Sequence, residues 1–165
     1  MKTFEPLGKE HGREDFDCGV AELNVFLKQH ARRQQGRGVS RTFVLVESDA
    51  AEPKEILGFF TLVAAQLDSS QLSEAQAKRL PHKVPCVLLA RLAVSAKHQG
   101  QGLGKVHLVE AVLRTCAISG ELGVAGLFVE AKDEAASAFY QHFGFVPFPS
   151  NPRKLFQSLE ALRKT

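Results

Sequence analysis

Cys86-Val87-Leu88-Leu89-Ala90-Arg91-Leu92-Ala93-Val94, with Gln99-Gly100-Gln101-Gly102-Leu103-Gly104-Lys105 five residues on, is the stretch that decides the fold. Its first part is nearly continuous apolar sequence, broken only by Arg91. That is the pattern of a strand covered on both faces in the middle of an α/β sheet. Its second part is a glycine-rich turn, after which Val106, Val109, Leu113, Cys116 and Ala117 follow helical spacing. A strand running through glycines into a helix brings free N–H groups and the positive end of the helix dipole to one point, where an anion can sit. Two common phosphate motifs do not fit. A Walker A loop needs a glycine at Gln99 and Ser or Thr at Val106; a dinucleotide fingerprint needs a third glycine at Lys105. What remains is Q/R-x-x-G-x-G/A, met by Gln99, Gly102 and Gly104.

Outward from this unit, Val20, Leu23, Phe26, Leu27 and Ala31 predict an amphipathic helix over about 20–34, capped by Asp17 and ended by Gly36 and Gly38. Thr42 to Val46 and Ile56 to Leu67 read as an antiparallel strand pair around a turn at 49–54. Ser70 to Leu80 reads as a polar helix ended by Pro81. Gly123 to Glu130 is a further strand. Asp133 caps a helix through His142 that Gly144 stops. Phe145 to Phe148 and Leu155 to Leu159 are the last strands. Helix, hairpin, then strand–helix–strand–helix–strand is an α/β protein: one domain over residues 1–165, with a mixed central β-sheet flanked by helices.

The 165 residues carry 21 Lys+Arg against 18 Asp+Glu, and the distribution is more informative than the total. Leu23 to Val46 holds five bases (Lys28, Arg32, Arg33, Arg37, Arg41) and no acid. Ala75 to Val109 holds six (Lys78, Arg79, Lys83, Arg91, Lys97, Lys105) and again no acid. The other 106 residues carry 10 bases against 18 acids. Acid-free basic blocks suit anionic partners such as phosphates, a nucleotide or a nucleic acid; solvated faces are the plainer reading of each block alone. The 44% hydrophobic fraction argues against disorder. No apolar run reaches membrane-span length, and no apolar signal region follows Met1, so a cytoplasmic protein that does not enter membranes is expected. Cys18, Cys86 and Cys116 form no CxxC pair, and Cys86 and Cys116 read as small core residues. The histidines lack ligand spacing, so no metal is expected; His30, His98, His107 and His142 read as surface or satisfied positions.

The Gln99–Gly104 pattern resembles the coenzyme A loop of the GNAT acetyltransferases. Ala136, Phe139 and Tyr140, then Gly144 and Phe145, resemble that family's A-x-x-F-Y-x-x-x-G-F signature on the next helix and strand. Asp133 stands where many members carry Asn. The segments Phe16-Asp17-Cys18-Gly19, Leu23, Leu27, Ser40-Arg41-Thr42-Phe43-Val44, Arg91-Leu92-Ala93-Val94 and Phe145-Val146-Pro147 look like one branch, the acetyltransferase toxins of bacterial toxin–antitoxin pairs.

The resemblance implies acetyl-CoA as cosubstrate, aminoacyl-tRNA as the acceptor, and arrest of translation by acetylation of its α-amino group. It also implies a ribbon-helix-helix antitoxin and a homodimer. Cofactor contacts fall to Leu92, Ala93 and Val94, to Gln99, Gly100, Gln101, Gly102, Leu103, Gly104 and Lys105, and to Phe139. Tyr140 is expected to be the catalytic proton donor to the leaving thiolate. A phenol of pKa about 10 suits that role and not that of a base. Lys28, Arg32, Arg33, Arg37, Arg41, Lys78, Arg79 and Arg91 are expected at the anionic acceptor, and Arg91, Lys97 and Lys105, which flank the coenzyme loop, are also in place to meet coenzyme phosphates. Glu130 and Asp133 are the nearest candidates for a base. Two alternatives stand beside this: a GNAT enzyme acting on a small amine or a protein N-terminus, and a degenerate module that only binds.

Overall fold

A computed structural model describes residues 1–164. In chain order the strands are β1 (Lys2–Pro6), β2 (His11–Gly12), β3 (Arg41–Glu47), β4 (Lys54–Glu55), β5 (Gly58–Asp68), β6 (Lys83–Val94), β7 (Gly126–Glu130), β8 (Val146–Phe148) and β9 (Asn151–Ser158). The α-helices are α1 (Ala21–Val25), α2 (Ala31–Gly36), α3 (Glu74–Ala77), α4 (Leu103–Ile118), α5 (Glu134–His142) and α6 (Leu159–Leu162). Seven strands form one sheet in the order β1-β3-β5-β6-β7-β9-β8, flanked by helices. β6, read from its apolar run, is the middle strand. It runs parallel to β7, while β1/β3, β3/β5, β7/β9 and β8/β9 are antiparallel, so the mixed sheet is found.

The chain divides into two compact units, Met1–Val63 with Ala90–Ala111, and Ala64–Leu89 with the residues from Val112 onward. In the first, Phe16, Phe26, Leu27, Ala31, Val44, Phe59 and Ala93 belong to one buried cluster. Leu45, Leu57 and Leu103 form another. In the second unit, Leu67, Val84, Cys86, Phe128, Phe148 and Phe156 pack together. Phe59 and Phe156 are fully buried. Fully burying such a side chain contributes about 1.5–3 kcal/mol, so these clusters set both units.

Local readings fail where side chains outbid simple periodicity. The expected helix over 20–34 is α1, a π-helical turn at Phe26–His30, and α2. The Ala31 N–H bonds back to the Phe26 carbonyl, so residue 31 follows residue 26 onto the buried face. Asp17 does not cap this helix, whose first turn has no side-chain cap; its carboxylate accepts from the Gly19 N–H and the Asn24 amide instead. Ser70 to Leu80 is not one helix. Asp68 caps a 3₁₀ turn over Ser69–Gln71, and Ser73 restarts the chain as α3, only four residues long. Cys116 is half-buried rather than core. β6 is not covered throughout, because residues 90–92 and Val94 are half-buried. β1 and the short parallel pair β2/β4 were not legible as strands.

Candidate functional site

The first unit carries the glycine loop. The register of β6 with β7 covers Val87–Leu89 against Leu127–Val129, and β6 continues past it through Leu92, Ala93 and Val94. A 3₁₀ turn at Ala96–His98 leads into the loop. Gly100 and Gly102 have φ of +81° and +76°, values that an L side chain adopts only with strain. Nothing lies within 4 Å of a Cβ built on either, so these glycines are required by the turn and not by crowding. Among the described residues, no hydrogen bond takes up the N–H groups of Gly100, Gln101 or Gly102. They lead directly into α4, whose first N–H groups have no partner within the helix. Unsatisfied amides at a helix N-terminus of this length suit a diphosphate.

The loop is braced from below. The Gln99 side-chain amide donates to the Val94 and Cys18 carbonyls, each at 3.0 Å. The Ala96 N–H donates to the Asp17 carbonyl at 2.8 Å, and the Cys18 N–H to Asn24 at 2.9 Å. Phe16-Asp17-Cys18-Gly19 is therefore fastened to the end of β6. This brace was missed in the sequence, although Gln99 and the segment 16–19 were both singled out. Beside it lies a cavity of about 490 Å³ lined in part by Asp15, Asp17, Glu55, Ser95 and Lys97. Its three carboxylates fit a phosphate poorly, and Glu55 already faces His98 at 3.3 Å. Leu103 is buried, Lys105 is exposed, and Gly104 is half-buried. Fully buried His107 bonds the Leu103 carbonyl through Nδ1 at 2.6 Å, and burial holds its pKa below the usual imidazole value.

The second unit carries Tyr140 on α5. Asp133 caps this helix by accepting the Ala136 N–H at 2.8 Å, so its carboxylate is engaged. Ser137 donates to the Pro152 carbonyl at 2.9 Å, tying α5 to β9. The Tyr140 ring packs edge-on to Phe139 and Phe145, at centroid distances of 5.3 and 5.7 Å. Tyr140 is 9% exposed, and burial pushes its phenol up to about 12. Among the described residues its hydroxyl makes no hydrogen bond and is not fully buried, so the ring is buried while the hydroxyl stays open to a ligand or solvent. Phe145 is core; Phe139 is half-buried. Glu130 is exposed at the end of β7.

The first basic block lies on the π-helical turn, on α2 and just beyond. Lys28 and Arg32 are half-buried; Arg33, Arg37 and Arg41 are exposed. Lys78 and Arg79 are exposed in the second unit. Among the described residues none of these seven, nor Arg91, is in a salt bridge. Glu5, Glu10 and His11 do cluster. The Gly8 N–H donates to His11 Nδ1, so the ring proton is on Nε2 and faces Glu5 at 2.8 Å, while Lys54 holds the other Glu5 oxygen at 3.0 Å. No lone pair of that imidazole is left for a metal. Both partners hold the Glu5 carboxyl below its usual value.

Comparison with known proteins places the chain among proteins of one family. A family model described as an acetyltransferase (GNAT) domain matches residues 39–147. A tRNA-acetylating toxin of Mycobacterium tuberculosis (strain ATCC 25618 / H37Rv) is 30% identical over 148 residues, 90% of this chain and 86% of that protein. The structure of AtaT complexed with acetyl-methionyl-tRNAfMet superposes with a TM-score of 0.91 at 31% identity, covering 99% of this chain and 98% of that one. A tyrosine-to-phenylalanine variant of AtaT, bound to acetyl-CoA and to the C-terminus of the antitoxin AtaR, gives a TM-score of 0.82 at 30% identity, covering 99% and 96%.

Proposed function

We infer that this chain, which belongs to the GNAT acetyltransferase family, transfers the acetyl group of acetyl-CoA to the α-amino group of aminoacyl-tRNA and so arrests translation as a toxin. The observation that carries the acceptor is the near-full-length likeness to a protein recorded with acetylated tRNA. The unpaired cations from Lys28 to Arg41 support it, since acetyl-CoA alone gives them no task.

Acetyl-CoA supplies an activated thioester. The amides of residues 99–104, with Lys105 alongside, hold its diphosphate. Phe139 lines the coenzyme arm. N–H groups of Leu92 to Val94, beyond the part of β6 that pairs with β7, polarise the acetyl oxygen as it gains charge. The amine attacks directly, and Tyr140 protonates the departing thiolate. Its raised pKa keeps it a donor across the physiological range. No strong base is needed, because an α-amino group of pKa about 7.7–8 is already partly neutral near pH 7, whereas a lysine at about 10.4 is not. This suits a site where Asp133 is spent on capping.

Residues 1–165 act as one acetyltransferase domain, the family match running through both compact units. No helix among the described residues is long and apolar enough to cross a membrane. The protein works in the cytoplasm as a homodimer, held inactive by an antitoxin of the ribbon-helix-helix type. Lys28, Arg32, Arg33, Arg37, Arg41, Lys78, Arg79 and Arg91 meet the tRNA backbone, which positions the acceptor without reading sequence. Expression in a bacterium tests the reading. Growth arrest that vanishes with Tyr140→Phe supports it; unimpaired growth with the wild-type chain contradicts it.

A further inference from the structure

Arg91 precedes the three residues assigned to the acetyl oxygen, and its surroundings set it apart from the other cations. Its guanidinium carbon lies 3.6 Å from the centroid of the Phe26 ring. Phe26 is 4% exposed and opens the π-helical turn, so the platform under the guanidinium is fixed. The side chain is half-buried, and burial lowers its pKa. A guanidinium has five N–H donors in its own plane, and a ring beneath one face uses none of them. Among the described residues no carboxylate or carbonyl takes any of the five. Stacking on an aromatic ring offsets part of the desolvation but leaves the donors unmet. A half-buried, oriented and unpaired fork is complementary to a phosphate or carboxylate gripped through two oxygens.

Its position selects the anion. Side chains at 91 and 93 leave β6 on the same face, and Ala93 shares the buried cluster of Phe26. The spacing from Arg91 to Ala93 is about 6.6 Å along a strand. The guanidinium thus stands close to the residues that would hold the acetyl oxygen. In an aminoacyl-tRNA the carboxyl of the amino acid is esterified and uncharged. The negative charge nearest the reacting amine is then the phosphodiester on the 5′ side of the terminal nucleoside. We propose, resting on the acceptor assigned above, that Arg91 grips this last phosphodiester and so places the aminoacyl end for attack, while the coenzyme's diphosphate is left to the loop.

Two acceptors that differ by one phosphodiester and the cytidine it carries test this. Bulk charged tRNA is first treated with the enzyme and acetyl-CoA to find which amino acid is acetylated. That amino acid is then amide-linked to 3′-amino-3′-deoxyadenosine, alone or extended by a 5′-linked cytidylate. For the wild-type protein the dinucleotide should have a KM at least tenfold below that of the nucleoside. In Arg91→Gln the two KM values should converge, with the KM for acetyl-CoA within twofold of wild type. Arg91→Lys keeps charge and stem, protecting the test should Gln fail to fold, and should lose part of the preference. A preference unchanged in both variants, equal KM values in the wild type, or a raised KM for acetyl-CoA would overturn the assignment. If charged tRNA itself is not acetylated, the acceptor reading fails and takes this proposal with it. If charged tRNA is acetylated while the extra phosphodiester has no effect, only the role of Arg91 fails.

Discussion

At the scale of single residues, the proposed proton donor is Tyr140. Its ring is held between Phe139 and Phe145 while its hydroxyl has no partner among the described residues. Tyr140→Phe keeps the ring and removes the proton donor, so it should lower kcat by about 10²–10⁴ with little change in Tm or in the KM for acetyl-CoA. The pH dependence follows from the same burial. With the phenol pushed up to about 12, the rate should rise as the acceptor amine loses its proton and show no alkaline fall from the tyrosine below about pH 11. Stability behaves accordingly. The fold favours the neutral phenol, so its contribution is complete below the unfolded value near 10 and is lost as the pH climbs from there toward 12. Thermal melts of wild type and Tyr140→Phe between pH 8 and 11 check this: the wild type should lose stability relative to the variant only above about pH 10. Tyr140 was legible because its neighbours repeat a known pattern. The brace made by Gln99 was not, because a side-chain amide bonding two backbone carbonyls leaves no periodicity.

At the scale of elements, the loop between β6 and α4 should tolerate little. Gly102→Ala meets no steric clash, only the cost of a positive φ, about 1–3 kcal/mol. The expected result is a KM for acetyl-CoA raised roughly tenfold with the KM for the acceptor unchanged, measured by steady-state kinetics. α4 was readable from the glycine turn that starts it, while its expected apolar face was wrong: Val106, Val109 and Leu113 are exposed, and Leu103, Leu108, Ala111 and Val112 are buried instead. The strands β3, β5 and β6 were readable because their apolar runs are strong. β1 was not, since Lys2-Thr3-Phe4-Glu5-Pro6 is half-exposed and ends in proline; it is a strand because its register with β3 supplies the ladder. The over-long helix at 70–80 shows the converse. Asp68 and Ser73 offer capping bonds that break one weak helix into two short turns.

At the scale of the whole molecule, the charge distribution offers a way to tell the proposed acceptor surface from the coenzyme site. Arg32, Arg33 and Arg37 lie away from the glycine loop in sequence and have no acidic partner among the described residues. Neutralising all three should leave the KM for acetyl-CoA unchanged. It should weaken tRNA binding and reduce the slope of log K against log salt by roughly one for each arginine that meets a phosphate. Titrations at several salt concentrations measure that slope, and an unchanged slope would remove these residues from the tRNA surface. The acceptor class was readable only through family resemblance, because basic blocks alone signal any polyanion. The central claim is tested by incubating the protein with acetyl-CoA and bulk charged tRNA and identifying the products by mass spectrometry. Acetyl on the α-amino group of the aminoacyl moiety is the predicted result. Charged tRNA left unmodified, with acetyl found only on small amines or protein N-termini, would contradict it.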